Sequence, residues 1–154
     1  MDRTIGTTDA QAINAMAPLQ TSVLRHRGTA PPTADHYDWL LERPRQHGDP
    51  SDSTRPASPA KLATWRIADA PIAWPSLGQT TLQALPDHRR AWLTRSGPVT
   101  QGPGYAVQVD TGVATPQLWT PSRILLVIEL RQAGPFCAEL SRLRGDRWRA
   151  VFTP

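Results

Sequence analysis

Residues 123–154 read RILLVIELRQAGPFCAELSRLRGDRWRAVFTP, and this stretch carries the clearest pattern in the chain. Ile124, Leu126, Ile128 and Leu130 fill one face of an extended segment over Arg123–Arg131. Leu125 and Val127 occupy part of the other, as in a central strand covered on both sides. After Gly134-Pro135, the segments Phe136–Leu143 and Arg147–Phe152 form a hairpin through Arg144-Gly145-Asp146. Its inward face is Trp148, Ala150 and Phe152.

Working upstream, Tyr105, Val107 and Val109 alternate with Ala106, Gln108 and Asp110, which predicts a half-buried strand continuing toward Val113. Ser96–Gly104 is a loop of turn-forming residues. Thr80–Thr94 has Leu82 and Leu85 early and Trp92 and Leu93 late, so one or two short helices divided at Pro86 are expected. Pro71 and Pro75 enclose Trp74 in an extended connection, and Leu62–Ala68 reads as a strand with Ala63, Trp65 and Ile67 on one face. Residues 8–25 have Ile13, Met16 and Ala17 at helical spacing before Pro18. Asp35–Arg43 places Tyr37, Leu40 and Leu41 on one side of a second short helix ending at Pro44.

The two parts of the chain differ in composition. Residues 1–60 contain seven of the sixteen prolines and a Pro/Ser-rich linker over 44–60, whereas five of the six tryptophans lie beyond position 60. The first sixty residues carry six arginines against seven Asp/Glu, and residues 61–154 carry eleven Lys/Arg against six. The expected organisation is an N-terminal arm with short helices, 1–60, followed by a small α+β domain, 61–154. Its sheet would be mostly antiparallel, with one or two helices and a C-terminal hairpin.

Several function classes lack the residues they need. Cys137 is the sole cysteine, which excludes an intrachain disulfide and a multi-thiolate zinc site. His36 with Asp38 and His47 with Asp49 form two His-x-Asp pairs, but His47 falls in the linker, and neither a metal nor a cofactor is expected. There is no nucleophile elbow, and Gly102-Pro103-Gly104 leads into a strand rather than a helix, so acyl transfer and nucleotide binding find no support. No mutually supporting acid, base and nucleophile stands out, and no small-molecule ligand is evident. Glu129 on the central strand is the one downstream carboxylate expected to be buried, paired with Arg123 or Arg131. The longest apolar run, Ile124–Ile128, is far below the ~20 residues of a membrane span, and no signal peptide is seen. A cytoplasmic location, or one within a macromolecular assembly, follows.

Arg142, Arg144, Arg147 and Arg149 around Trp148 form the strongest candidate binding surface, with Trp39 as a second anchor docking on a partner. All but one of the chain's Lys/Arg residues are arginines, whose planar fork suits carboxylates and phosphates. The Arg144-Gly145-Asp146 tripeptide, despite its likeness to an integrin ligand, reads as a tight turn. Two functions fit. The first is a non-enzymatic accessory or structural subunit of a protein assembly, docking through the arm and the Arg-rich hairpin. The second is a nucleic-acid-binding module using the same hairpin. The spacing Leu118-x-x-Pro121-x-x-Ile124-x-x-Val127 followed by a hairpin, behind a Pro-rich half, is loosely similar to the C-terminal modules of type III secretion and flagellar hook-length control proteins. The similarity covers about 35 residues and implies at most a secretion-apparatus regulator.

Overall fold

A computed structural model describes residues 16–27, 36–44, 61–94, 97–98 and 105–154. It is a closed antiparallel barrel of eight strands. β1 (Leu19–Arg27), β2 (His36–Leu41), β3 (Leu62–Ile67) and β4 (Gln79–His88) form one meander, and β6 (Tyr105–Trp119), β7 (Arg123–Leu130), β8 (Gly134–Arg144) and β9 (Arg147–Thr153) form the other. The meanders join at two seams, β4 with β9 and β1 with β6. A two-residue strand, β5 (Gly97–Pro98), adds to β6.

The interior of an eight-stranded barrel is just wide enough to be filled by side chains, and here aromatic rings fill much of it. Trp39, Trp65, Trp148, Phe136 and Phe152 point inward and are buried. Trp39 packs against Trp65 at 6.0 Å and Phe152 at 6.3 Å between ring centroids. One end is stopped by a 3-10 turn, Pro71–Ala73, that runs into α1 (Trp74–Leu77). Trp74 is fully buried, stacks on Phe152 at 5.5 Å, and donates its indole N–H to the Asp69 carbonyl. The outer wall of β1–β3 and β6 is covered as well: Leu24, Leu40, Leu62 and Ala106 are buried against Leu93 and Trp92 of a second 3-10 turn, Arg90–Leu93.

The α+β expectation is therefore overturned: the domain is a barrel with a single short α-helix among the described residues. Where helices were expected within 8–25 and 35–43, the described residues form strands β1 and β2 with short flanking coil, and both strands belong to the barrel, so the barrel includes segments on both sides of residue 60. Residues 8–15 and 45–60, with His47, lie outside the described residues. Thr80–Thr94 is strand β4 followed by a 3-10 turn, not a helix, and Trp74 sits in helix rather than in an extended connection. On β6, Ala106 is buried under the outer cover and Val109 packs on the inner core, while Val107 is 39% exposed, so burial does not follow a simple alternation there. On β7, Val127 is 47% exposed; the strand has a solvent face, and Glu129 lies on it. The expected strand over 62–68 and the hairpin facing Trp148, Ala150 and Phe152 inward are present as read.

Closure forces one contact too close for any side chain. Gly112 pairs with Thr21 on one side and Leu130 on the other, and a Cβ there would lie 2.0 Å from the Glu129 carbonyl oxygen. That obstacle is backbone and cannot swing aside. Gly112→Ala is expected to destabilise the barrel by about 2–3 kcal/mol or more, read as a lowered urea midpoint; an unchanged midpoint would show that the β6–β7 spacing relaxes freely.

Candidate functional site: a basic groove on the outer wall

The β8–β9 turn places the arginines. Gly145 adopts φ +57°, the left-handed region that a tight turn favours. Asp146 then ties the turn to β4: its carbonyl accepts from the Ala84 amide, and its carboxylate accepts from the Gln83 side-chain amide at 3.2 Å. The tripeptide is a structural turn. Arg142 donates its Nε–H to the Gly145 carbonyl at 2.7 Å and so serves the turn itself.

Inward Trp148 sets Arg147 and Arg149 on the outer face, as its alternation implies. Register across neighbouring strands then adds a residue the sequence did not mark. Asp38 pairs with Arg66, Arg66 with Gln83, Gln83 with Arg147, and Arg147 with Arg144. This cross-strand row runs from β2 to β8 and carries three arginines from three strands. Arg149, the next outward residue of β9, stands opposite Thr81 and Ser141. Between these strands lies an open groove of about 410 Å³, lined by Arg66, Thr81, Leu82, Gln83, Asp146 and Arg147.

The arginines differ in what they meet. Arg66 Nε–H donates to Asp38 at 3.3 Å, and Asp38 is buried, with His36 Nε2 at 3.7 Å and His88 Nε2 at 3.9 Å from its carboxylate. His36 in turn stacks on His26 with centroids 4.8 Å apart. A buried carboxylate thus anchors the Nε end of the Arg66 guanidinium, whose side chain also lines the groove. Arg43 with Asp87, Arg90 with Glu42 and Arg123 with Glu139 are ion-paired. The expected pairing of Glu129 with Arg123 or Arg131 is not among these; Arg123 pairs with Glu139 instead, and Glu129 is exposed. Arg144, Arg147 and Arg149 are exposed and have no carboxylate within pairing distance among the described residues.

Of the residues expected to bind, the structure brings Arg144, Arg147 and Arg149 onto one surface, with Arg142 at its turn. Trp39 is not part of it. That indole is fully buried in the barrel and donates to Thr21 Oγ1 at 2.8 Å, so it offers no area to a partner. Arg66 was missed because its neighbours in space are 17 to 81 positions away in sequence, and only strand register reveals them. Among the described residues no group of His, Cys, Asp or Glu is placed to hold a metal ion, and no helix is long and apolar enough to cross a membrane. No family model matches the chain, and no curated protein matches it.

Asp38 links the covered wall to the groove, and its removal tests that link. Asp38→Asn strips the charge from a buried acceptor of a charged donor, a change worth about 1.5–3 kcal/mol. A urea titration is expected to show that loss, and an unchanged midpoint would mean that Arg66 is held by packing alone.

Proposed function

We propose that this barrel is a non-enzymatic docking subunit of a larger protein assembly, and that its basic face binds an acidic surface of a partner protein. The observation that carries the reading is the row Arg66, Arg147, Arg144 with adjacent Arg149, built on rigid strands around an open groove. Arg144 and Arg147 stand directly opposite each other, an arrangement of like charges that disfavours the sheet. A carboxylate at either position would favour folding instead. Three exposed guanidinium groups without carboxylate partners among the described residues, beside one anchored by Asp38, make a surface suited to carboxylates supplied by a partner.

The nucleic-acid reading of the same face has less behind it. Stacking of bases needs exposed rings, and Trp148, the aromatic residue among these arginines, is buried inside the barrel. The arm named in the sequence reading has no part in the proposal, because its described residues are barrel strands.

The test compares the native chain with Arg144→Glu/Arg147→Glu/Arg149→Glu and with Arg131→Glu, a control on the turn at the opposite end of β7. The probes are poly-glutamate and mixed-sequence DNA and RNA strands at about 50 mM salt, where basic faces bind phosphate non-specifically. Poly-glutamate is expected to bind the native chain and the control alike, and to lose about tenfold or more with the triple variant. The proposal fails if the triple variant binds as the native chain does, or if the nucleic acids bind and poly-glutamate does not.

A further inference from the structure

The barrel's two ends are built differently. Trp74 stops the end near the starts of β4 and β8. At the opposite end, where β3, β7 and β9 begin and β4 and β6 finish, there is a cavity of about 180 Å³. Trp65, Trp119, Trp148 and Ile124 line it, and Arg43 and Asp87 stand at its edge. Three indoles converge here: Trp65 lies 5.8 Å from Trp148, nearly perpendicular, and 6.5 Å from Trp119.

Indole hydrogen bonding marks this end a second time. Trp39 donates to Thr21 and Trp74 to the Asp69 carbonyl, as buried indoles do. Trp65 is buried too, yet its Nε1, itself shielded from solvent, has no acceptor among the described residues. An unpaired buried donor disfavours the fold, and a neighbouring indole face is a weaker acceptor than a carbonyl. The side chains around it give a reason for the cavity's chemistry: apolar rings, one unused donor, and a rim arginine already held by Asp87 through two hydrogen bonds, at 3.1 and 2.9 Å.

We propose that this mouth binds a small single-ring aromatic molecule carrying a carbonyl oxygen, which lies among the three indoles and accepts a hydrogen bond from Trp65 Nε1. Size sets the class. Pockets for drug-sized ligands begin at about 300 Å³, whereas an apolar cavity of about 150 Å³ holds benzene. Trp119 is the cover. It is the least buried of the three indoles, and the turn that follows it is pinned by Thr120, whose hydroxyl accepts from the Arg123 amide at 2.9 Å. The backbone therefore stays in place while the Trp119 ring turns outward and uncovers the Trp65 N–H. This inference is independent of the basic groove, which lies on the outer wall.

The test titrates the full chain with benzamide, and with toluene as a ring without an acceptor, following tryptophan fluorescence and the indole N–H resonances by NMR. Benzamide is expected to bind saturably and to move the Trp65 indole proton downfield, which toluene does not do. Trp65→Phe keeps a ring but removes the donor; it is expected to weaken benzamide by about tenfold and to leave toluene within about twofold. If Trp65→Phe does not fold, the Trp65 proton in the native chain decides alone. Absence of saturable benzamide binding, or equal behaviour of the Trp65 proton with both ligands, overturns the proposal.

Discussion

Everything in this molecule depends on β1 being held from both sides. Six of its nine residues, Thr21–His26, pair with β2 along one edge, all nine pair with β6 along the other, and the second pairing brings together positions more than seventy-five apart in the chain. Such contacts come late in folding, because loop closure opposes them before packing rewards them. Once made, they remove the sheet edges that would otherwise offer unpaired amides to other chains. Thr21 shows how tightly the seam is sewn. Its hydroxyl donates to the Leu40 carbonyl and accepts from Trp39, while its own carbonyl accepts from the Thr111 hydroxyl, so one residue ties β1 to β2, to the core and to β6. Asp110 fixes the next strand in the same manner, accepting from the amides of Gln132 and Ala133 at the β7–β8 turn.

Closure also decides which walls meet solvent. Because β4 ends beside the start of β3 and β6 begins beside the end of β1, the chain must pass from one to the other outside the sheet, and the described part of that passage lies on β1–β3. Gln108 pins it by donating to the Leu93 carbonyl and to Ser22 Oγ. Ser22, Asp38 and Thr64 are buried there although they point away from the barrel interior. Among the described residues the wall formed by β4, β9, β8 and β7 has no such cover, and the basic groove lies along its border. Arg66 stands at that border: its Nε–H donates to the covered carboxylate of Asp38, and its side chain lines the groove.

The same geometry explains what could be read from the residues and what could not. β9 faces core on one side and solvent on the other, and its alternation was plain; so was that of β3 along Ala63, Trp65 and Ile67. β2 is buried on both faces, so Asp38, Trp39, Leu40 and Leu41 are all buried, and the remaining spacing of Tyr37, Leu40 and Leu41 imitates a helix turn. β1 alternates regularly against β2, but both of its faces are covered, with Thr21 and Ser22 buried, Val23 in the inner core and Leu24 in the outer cluster, and this erases period two. In β4 only Leu82 is fully buried, so Leu82 and Leu85 suggested helical spacing where a strand leans on Trp148. The arginines of the hairpin were legible as a group, since they are close in sequence. Their fourth member, Arg66, and the three-indole mouth are products of register, which no local pattern contains.

Stability gives no account of the hairpin's charges. The barrel pairs arginines with carboxylates where it has them to pair, at Asp87, Glu42, Glu139 and Asp38. In the β8–β9 turn an acid is available, yet Asp146 is engaged by Gln83 rather than by Arg144 or Arg147. Exposed ion pairs contribute little to folding, so the neglect of one is unremarkable. An arginine pair set directly opposite across a ladder is a different matter, since repulsion there acts on the strand contact itself. The strands hold the backbone positions of these groups at fixed spacing, while each exposed side chain would still lose rotamer freedom on binding. Unfavourable for the isolated chain, the arrangement is in keeping with the association proposed above.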